Sequence, residues 1–577
     1  MTTSNSPTPP GVSTEKPGFV STNSVGRFAL PSFSAWTLLA LAVSALVVVP
    51  IGTVLFSLTQ DSQGEWAHLA ATRLPGYLIN TLIIAVGVCT CAAGIGTATA
   101  WLVTTCDFPC RRLFSWALIL PLAVPAYIAA YAYADLLQFS GPLQTWLRAT
   151  FEWNRDDYWF PDIRTRGGAI FILTATLYPY VYLAARTAFL EQSACTLEVA
   201  RTLGRGPWRA FVSVALPLAR PSIAAGTALV LMETLADFGA VEHCAVDTLA
   251  TGVYHTWRSL ENHVAAAQLA SLLLGIVALA VCLEALARRR ARHHQLSNRF
   301  KTIRRKRLGP ISSALAMLLC GLPMLAGFMV PAGIFVYRAI MTGDARGAEI
   351  AISHGKNSLL LASIAAVVAV VFAVLVTYAH RLSKGRIAAI AARVTSLGYA
   401  LPGTVLGLGV LIPLTFLDHR INDLTQWLFN TRPGLLLTGT AFAVMLGYQT
   451  RFLGVALAML QSAFQRVRPS LDDAARTLGA SRWRLVLLVH LPILRASVLA
   501  AGLLVFVDVV KELPVTLMLR PFNFDTLAVR TYQLASDERL DQAAFSALLI
   551  IALGLIPVAL LATLLAPRRA PVKKNTE

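Results

Sequence analysis

A chain of 577 residues with 56% hydrophobic residues, 14% charged residues and a mean hydropathy of +0.62 is too apolar to be a water-soluble domain. Its formal net charge of +19 suggests nucleic-acid binding. However, the basic residues cluster between apolar runs near the ~20 residues needed to cross a bilayer, where membrane topology accounts for them.

Residues 1–33 are rich in Ser, Thr, Pro and Gly and read as a disordered cytoplasmic leader without a cleavable signal. Six spans are then expected at about 34–58, 79–104, 113–138, 167–188, 218–240 and 264–287, making a first half over 34–287. A linker over 288–308 carries Arg288, Arg289, Arg290, Arg292, Arg299, Lys301, Arg304, Arg305, Lys306 and Arg307 with no acid, which places it in the cytoplasm; it could also bind anionic lipid. Six further spans follow at about 311–338, 356–379, 387–416, 434–458, 493–513 and 541–566, within a second half over 309–567. A basic tail over 568–577 closes the chain, so alternation puts both termini inside. All spans should be α-helices because hydrocarbon cannot satisfy open backbone groups. The expected fold is therefore an all-α membrane protein of about twelve helices. The eight cysteines lie mostly within or beside spans and read as small hydrophobes, and the Cys106/Cys110 pair is too sparse a pattern to signal a metal.

The halves are homologous. Ala200-Arg201-Thr202-Leu203-Gly204 recurs as Ala475-Arg476-Thr477-Leu478-Gly479, and residues 200–222 share twelve identities in twenty-three positions with the stretch 275 residues downstream. The repeated stretch is the polar loop between the fourth and fifth span of each half, about 190–217 and 462–492, on the cytoplasmic face. Helix formers, a Gly suited to a left-handed cap and a Trp opening the next turn predict a helix, a sharp turn and a second helix. Leu216-Pro217 and Leu491-Pro492 are expected to mark entry into the fifth span, where Pro in the first turn loses no hydrogen bond.

These residues resemble the cytoplasmic signature of the permease subunits of bacterial ABC importers, read here as Glu198-Val199-Ala200 with Gly204 and Asp473-Ala474-Ala475 with Gly479. The resemblance implies a type I importer permease fold in which Glu198, Ala200, Arg201 and Gly204, and Asp473, Ala475, Arg476 and Gly479, belong to loops seated on two copies of a cytoplasmic ATPase. The chain contains no Gly-x-x-x-x-Gly-Lys-Ser/Thr, so ATP and Mg would be held by that partner, and this chain is expected to bind no cofactor and to catalyse no reaction.

The fifth spans carry acids in register, Glu233 and Asp237 against Asp508 and Glu512. Spacing of four places each pair on one helical face, and ~1.5 Å per residue from the Leu-Pro entry puts them roughly 24 to 30 Å along the helix. Ionisable groups at that depth face a bundle interior or an aqueous path. A four-carboxylate patch suits a hard cation and repels free anions. Local neutralisation by Lys511, Arg186, Arg220, Arg451 or Arg495 is the alternative. No metal ligand is firmly assigned. Tyr127, Tyr131, Tyr133 and Asp135 are further path candidates on the third span.

A second repeated string, Asp247-Thr248-Leu249-Ala250 with Tyr254 and Asp525-Thr526-Leu527-Ala528 with Tyr532, lies outside the membrane. With the stretches around it, the chain after residue 34 is similar to the fused two-domain permeases of iron(III) importers; thiamine and polyamine permeases are close relatives. That resemblance implies a periplasmic binding protein docking on these two loops and on 138–167, where Glu152, Trp153, Asp156, Asp157, Tyr158 and Trp159 also fit an interfacial aromatic belt. A gradient-driven secondary transporter with parallel repeats is the reading from a different class.

Overall fold

The computed structural model describes residues 35–191, 206–289, 305–343, 345–382 and 386–565. The leader, the C-terminal tail, most of the linker and the centre of the first polar loop lie outside the described residues. Among the described residues, 11 helices are long and apolar enough to cross a membrane, or up to 12 if a bent pair counts as one span. The bent pair is the third span, Arg111–Ala123 with Ala126–Phe151, which turns by 91°. Pro121 and Pro125 explain the break: neither has an amide hydrogen to donate, and Pro125 drives Val124 out of the helical region, to ψ 112. In the second half the same place is a short tight turn, Gly398–Ala400, between Arg386–Leu397 and Gly403–Phe429.

The fifth spans start earlier than the sequence suggested. Helix runs without a break from Phe211 to Ala236 and from Leu485 to Val510, so Pro217 and Pro492 sit inside the helices rather than at their first turn. Each is tolerated because the turn before it, Phe211–Ala215 or Leu485–His490, is wound as a wide π-turn. Widening moves the carbonyl four residues back away from the proline ring, the clash that otherwise breaks a helix.

The two halves embrace. The first span, Ala35–Phe56, packs on the eighth and ninth spans, Ala345–Leu382 and Gly403–Phe429. The Thr450 hydroxyl, on the tenth span Ala441–Gln465, donates to the Leu46 carbonyl at 2.9 Å. Reciprocally, the seventh span, Pro310–Thr342, lies on first-half helices, and Tyr133 donates to the Ala326 carbonyl at 2.7 Å. Two apolar cores result, each mixing residues of both halves. A short parallel pairing of Cys106-Asp107 with Lys306-Arg307 ties the end of the linker to the first half.

Candidate functional site

The four in-register carboxylates meet at one cavity of about 120 Å³ between the halves. Its wall follows the repeat: Glu233 and Asp508, Asp237 and Glu512, Phe238 and Leu513 are related residues facing the same space. The members of each acid pair do not share a helix face, contrary to the spacing argument. The fifth span ends at Ala236 in one half and at Val510 in the other, so only Glu233 and Asp508 are helical. Asp237 and Glu512 follow the helix ends and take part in restarting the chain. Asp237 accepts from the amides of Ala240 and Val241 at 3.0 and 3.2 Å, and Glu512 from the amide of Val515 at 3.1 Å. Each thereby begins a short helix, Gly239–His243 or Pro514–Leu519, that turns back beside the cavity.

Of the five cations considered as local counter-ions, two line the cavity. Arg451 Nη1 lies 3.0 Å from Glu512 Oε1 with both side chains buried, and Lys511 Nζ lies 2.8 Å from Asp508 Oδ1. Arg186, Arg220 and Arg495 are not on its wall. The Tyr399 hydroxyl donates to Glu233 Oε1 at 2.6 Å. Four carboxylates thus face two cations, and the space remains acidic by formal charge. Gly403 permits this close assembly: a Cβ there would stand 2.6 Å from Arg451 Nη1 and 2.9 Å from Glu512 Oε1.

The third-span candidates divide. Tyr127 is on the cavity wall. Asp135 is not: Arg338 grips its carboxylate at 2.7 Å and reaches Asp541 at 2.9 Å, making a clamp between the halves. Tyr133 is spent on Ala326, and Tyr131 packs edge-on against His243 with ring centroids 4.7 Å apart.

The second polar loop folds as expected into a helix, Pro469–Thr477, a left-handed Gly479 at φ +80°, and a further helical turn. Ala480 N donates to the Ala475 carbonyl at 3.0 Å and Gly479 N to the Arg476 carbonyl at 2.9 Å, the paired bonds of a Schellman cap. Asp473, Arg476 and Gly479 face outward, as do Leu471, Leu478 and Trp483. Leu478 is 87% exposed, an apolar tip that suits an interaction surface.

The residue that fixes this loop, Asp472, escaped the sequence reading. Arg381 holds it through Nε and Nη2 at 2.7 and 3.1 Å, and His490 Nε2 lies at 2.9 Å. Burial alone would raise the Asp472 pKa, but the hydrogen bonds from Arg381 and His490 hold it below the ordinary carboxylate range. A second acid beside Asp473 was the available signal. The first-half residues Glu198, Ala200, Arg201 and Gly204 lie outside the described residues.

On the opposite side, Thr248 and Thr526 cap the helices Leu249–Arg258 and Leu527–Ser536. The Asp247 and Asp525 carbonyls accept from Asn80 and Asn357 at 2.7 and 3.2 Å. Much of the repeated Asp-Thr-Leu-Ala string is thus explained by helix capping. Asp525 also pairs with Arg520, and the exposed Asp247 side chain lies 3.9 Å from Arg73. Tyr254 and Tyr532 border a groove of about 560 Å³ with Trp257, Arg258 and the fully exposed Phe522. In the segment 138–167, Trp153 stacks on Phe151 and on Tyr158, while Trp159 is 86% exposed.

Residues 365–571 match the family model for the binding-protein-dependent transport system inner membrane component. Over 530 residues the chain is 24% identical to the Fe(3+)-transport system permease protein FbpB 2 of Haemophilus influenzae, covering 91% of this chain and 97% of that one. Shorter stretches resemble the Escherichia coli sulfate transport system permease protein CysT, 29% identical over 37% of this chain and 76% of the relative. The molybdenum transport system permease protein ModB of Escherichia coli is 32% identical over 25% of this chain and 60% of the relative. Residues 365–571 thus match the inner-membrane component of binding-protein-dependent transport systems, and the chain along most of its length is similar to permease proteins of such systems.

Proposed function

We propose that the chain is the membrane subunit of an importer that carries ferric iron, delivered by a periplasmic binding protein, across the inner membrane. The observation that carries the cargo reading is the acidic cavity between the halves, where four carboxylates outnumber two cations. Charge of that sign attracts a multivalent cation and repels sulfate or molybdate, whose permeases are relatives over part of the chain. Two relatives matching most of this chain are named for ferric transport.

In this reading one ATPase copy seats on each polar loop, with the loops and both termini in the cytoplasm. The exposed Leu471, Leu478 and Trp483 supply apolar contact to the second ATPase copy. The Asp472 clamp passes its movement to the eighth span through Arg381 and to the eleventh through His490. The binding protein docks on the opposite face, at the groove bordered by Tyr254 and Tyr532. The chain breaks no covalent bond; it presents charge to the cargo and changes shape.

The test is uptake by the complete complex in vesicles, with ferric-loaded receptor outside and ATP inside. Glu233→Gln combined with Asp508→Asn should abolish iron uptake while the complex stays assembled. Full uptake by that assembled double variant overturns the path assignment. Stimulation by thiamine- or polyamine-loaded receptor in place of iron overturns the cargo, and ATP-independent accumulation by the chain alone overturns the importer reading altogether.

A further inference from the structure

The carboxylates of the cavity do not by themselves make a metal site. Among the described residues no group of three His, Cys, Asp or Glu side chains comes close enough together to hold an ion. Tyrosine changes the count. Tyr399, on the tight turn Gly398–Ala400, is hydrogen-bonded to Glu233 at 2.6 Å. Tyr180, one residue past Pro179 in the fourth span, stands on the wall of the cavity that Tyr399, Glu233 and Asp508 also line. All four residues line the same cavity.

Neither tyrosine is repeated. In the register of the two halves, the position of Tyr399 is Leu122 in the first half, and that of Tyr180 is Val455 in the second. Each half therefore supplies one phenol and one helical carboxylate, from different elements, to the same cavity. A further observation marks the space as made for an occupant: Tyr127, only 5% exposed and on the cavity wall, has no hydrogen-bond partner for its hydroxyl among the described residues. A buried hydroxyl left unpaired is destabilising, and a bound ion with its waters would relieve it.

We propose that Tyr180, Tyr399, Glu233 and Asp508 form a transient ferric-ion site in the chamber, with the phenols binding as phenolates. This deepens the iron reading and rests on it. Phenolate and carboxylate oxygens are hard anionic donors matched to a small trivalent cation, and tyrosinate is an established ligand of ferric iron. Binding is a ligand and proton exchange: ferric iron gives up four of the water or carrier oxygens it arrives with, the two phenols release two protons to water, two Fe–O(phenolate) bonds and two Fe–O(carboxylate) bonds form, and iron stays ferric. Two phenolates and two carboxylates against a 3+ ion leave one negative charge, and the Lys511 ammonium beside Asp508 compensates it. A cavity of about 120 Å³ has room for an ion with a few waters at ~30 Å³ each.

The experiment uses the full chain assembled with its ATPase subunit in lipid nanodiscs, with ferric nitrilotriacetate as the probe and the gallium complex as the colourless trivalent control. Iron should produce a visible phenolate-to-iron charge-transfer band, with protons released to a weak buffer. The band should weaken in Tyr180→Phe and in Tyr399→Phe and vanish in the double variant, while gallium gives proton release alone. Thermal unfolding of the variants checks that loss of the band is not loss of the fold. An undiminished band in the double variant overturns the site. No band in the wild-type complex, when iron-loaded receptor still stimulates hydrolysis, also overturns the site and leaves the iron importer standing. A complex that iron-loaded receptor fails to stimulate removes the cargo on which the site depends.

Discussion

The two halves present the same acids to one chamber but hold them by different means. Where the second half has Arg451 and Lys511, the first has Thr176 and Ala236 in register, and all four residues line the cavity. The polar loops repeat the contrast: Asp472, Arg381 and His490 stand against Leu197, Thr104 and Ala215. The second half is braced by buried ion pairs. The described part of the first is braced by rings, with Trp101 against Phe189 at 5.3 Å and against Phe211 at 4.7 Å. Both copies keep what the cargo would meet, whereas the counter-charges are kept where they stabilise one side only. The consequence is a chamber with one charge-locked wall and one whose carboxylates, Glu233 and Asp237, form no ion pair among the described residues.

Cutting the strongest brace is the harshest way to break this contrast. Arg451→Ala leaves Glu512 buried without its partner, a change that costs roughly 3–5 kcal/mol. Thr176→Ala, at the matching place, removes only a hydroxyl bonded to carbonyls of its own helix at 3.1 and 3.2 Å, and should cost under ~1 kcal/mol. Thermal unfolding in detergent compares the two directly. Equal losses would show that the second half's ion pair is no special brace.

At the loop, Asp472→Ala removes the acceptor of Arg381 and His490 and should destabilise the loop by about 3 kcal/mol, uncoupling ATP hydrolysis from uptake. Leu197→Ala, in the matching position, should leave coupling near normal. Because the Asp472 pKa is depressed in the folded loop, its contribution is present above the unfolded carboxylate value of about 3.9 and is lost as pH falls towards the lower folded value. Protection of residues 469–484 against hydrogen exchange, corrected for the intrinsic pH dependence of exchange, should therefore be flat from neutral pH down to about 3.9 and fall below it, a fall that Asp472→Asn abolishes. Acid sensitivity unchanged in the asparagine variant would assign it to another group.

What the sequence disclosed follows from what repeats along the chain. The spans, the duplicated loop with Gly479, and the acids Glu233, Asp237, Asp508 and Glu512 were all readable because periodicity, capping and register are one-dimensional signals. The fifth-span start was misplaced because Pro217 and Pro492 were read as helix openers, when a π-turn accommodates each inside a longer helix. The break in the third span had a visible cause in Pro121 and Pro125. Which cations reach the acids was not readable: Arg451 does and Arg186 does not, a choice made by how the fourth and tenth spans rotate against the fifth and eleventh. Asp135 was misjudged for the same reason, since its partner Arg338 lies 203 residues away. Tyr180 and Tyr399 were passed over because a feature present once in each half, at unrelated positions, leaves no mark in the repeat.

The charge asymmetry can also be erased by addition. Ala236→Lys places an ammonium three residues after Glu233, the spacing that Lys511 has to Asp508. Four carboxylates would then face three cations, and a multivalent cation should pass on the order of tenfold less readily, about 1.4 kcal/mol. Uptake at limiting iron measures it. An unaltered rate would mean that Glu233 does not meet the cargo.

The mildest contrast lies on the opposite face. Thr248 and Thr251 form a reciprocal capping box, in which the Thr248 amide donates to the Thr251 hydroxyl at 2.8 Å and the Thr251 amide to the Thr248 hydroxyl at 3.4 Å. The second half keeps only the cap: Thr526 accepts from the amide of Val529, whose side chain cannot return the bond. Thr251→Val converts the first helix to the pattern of the second and deprives one buried amide of its acceptor, which should cost about 1 kcal/mol. The reverse change, Val529→Thr, should recover part of that amount in the other half, because Thr and Val are near in volume and the returning bond is local. If the receptor docks on these helices, Thr251→Val should weaken its binding only through fraying of Leu249–Arg258, visible as faster amide exchange there and nowhere else. Weakened docking without faster exchange would instead make the Thr251 hydroxyl part of the contact.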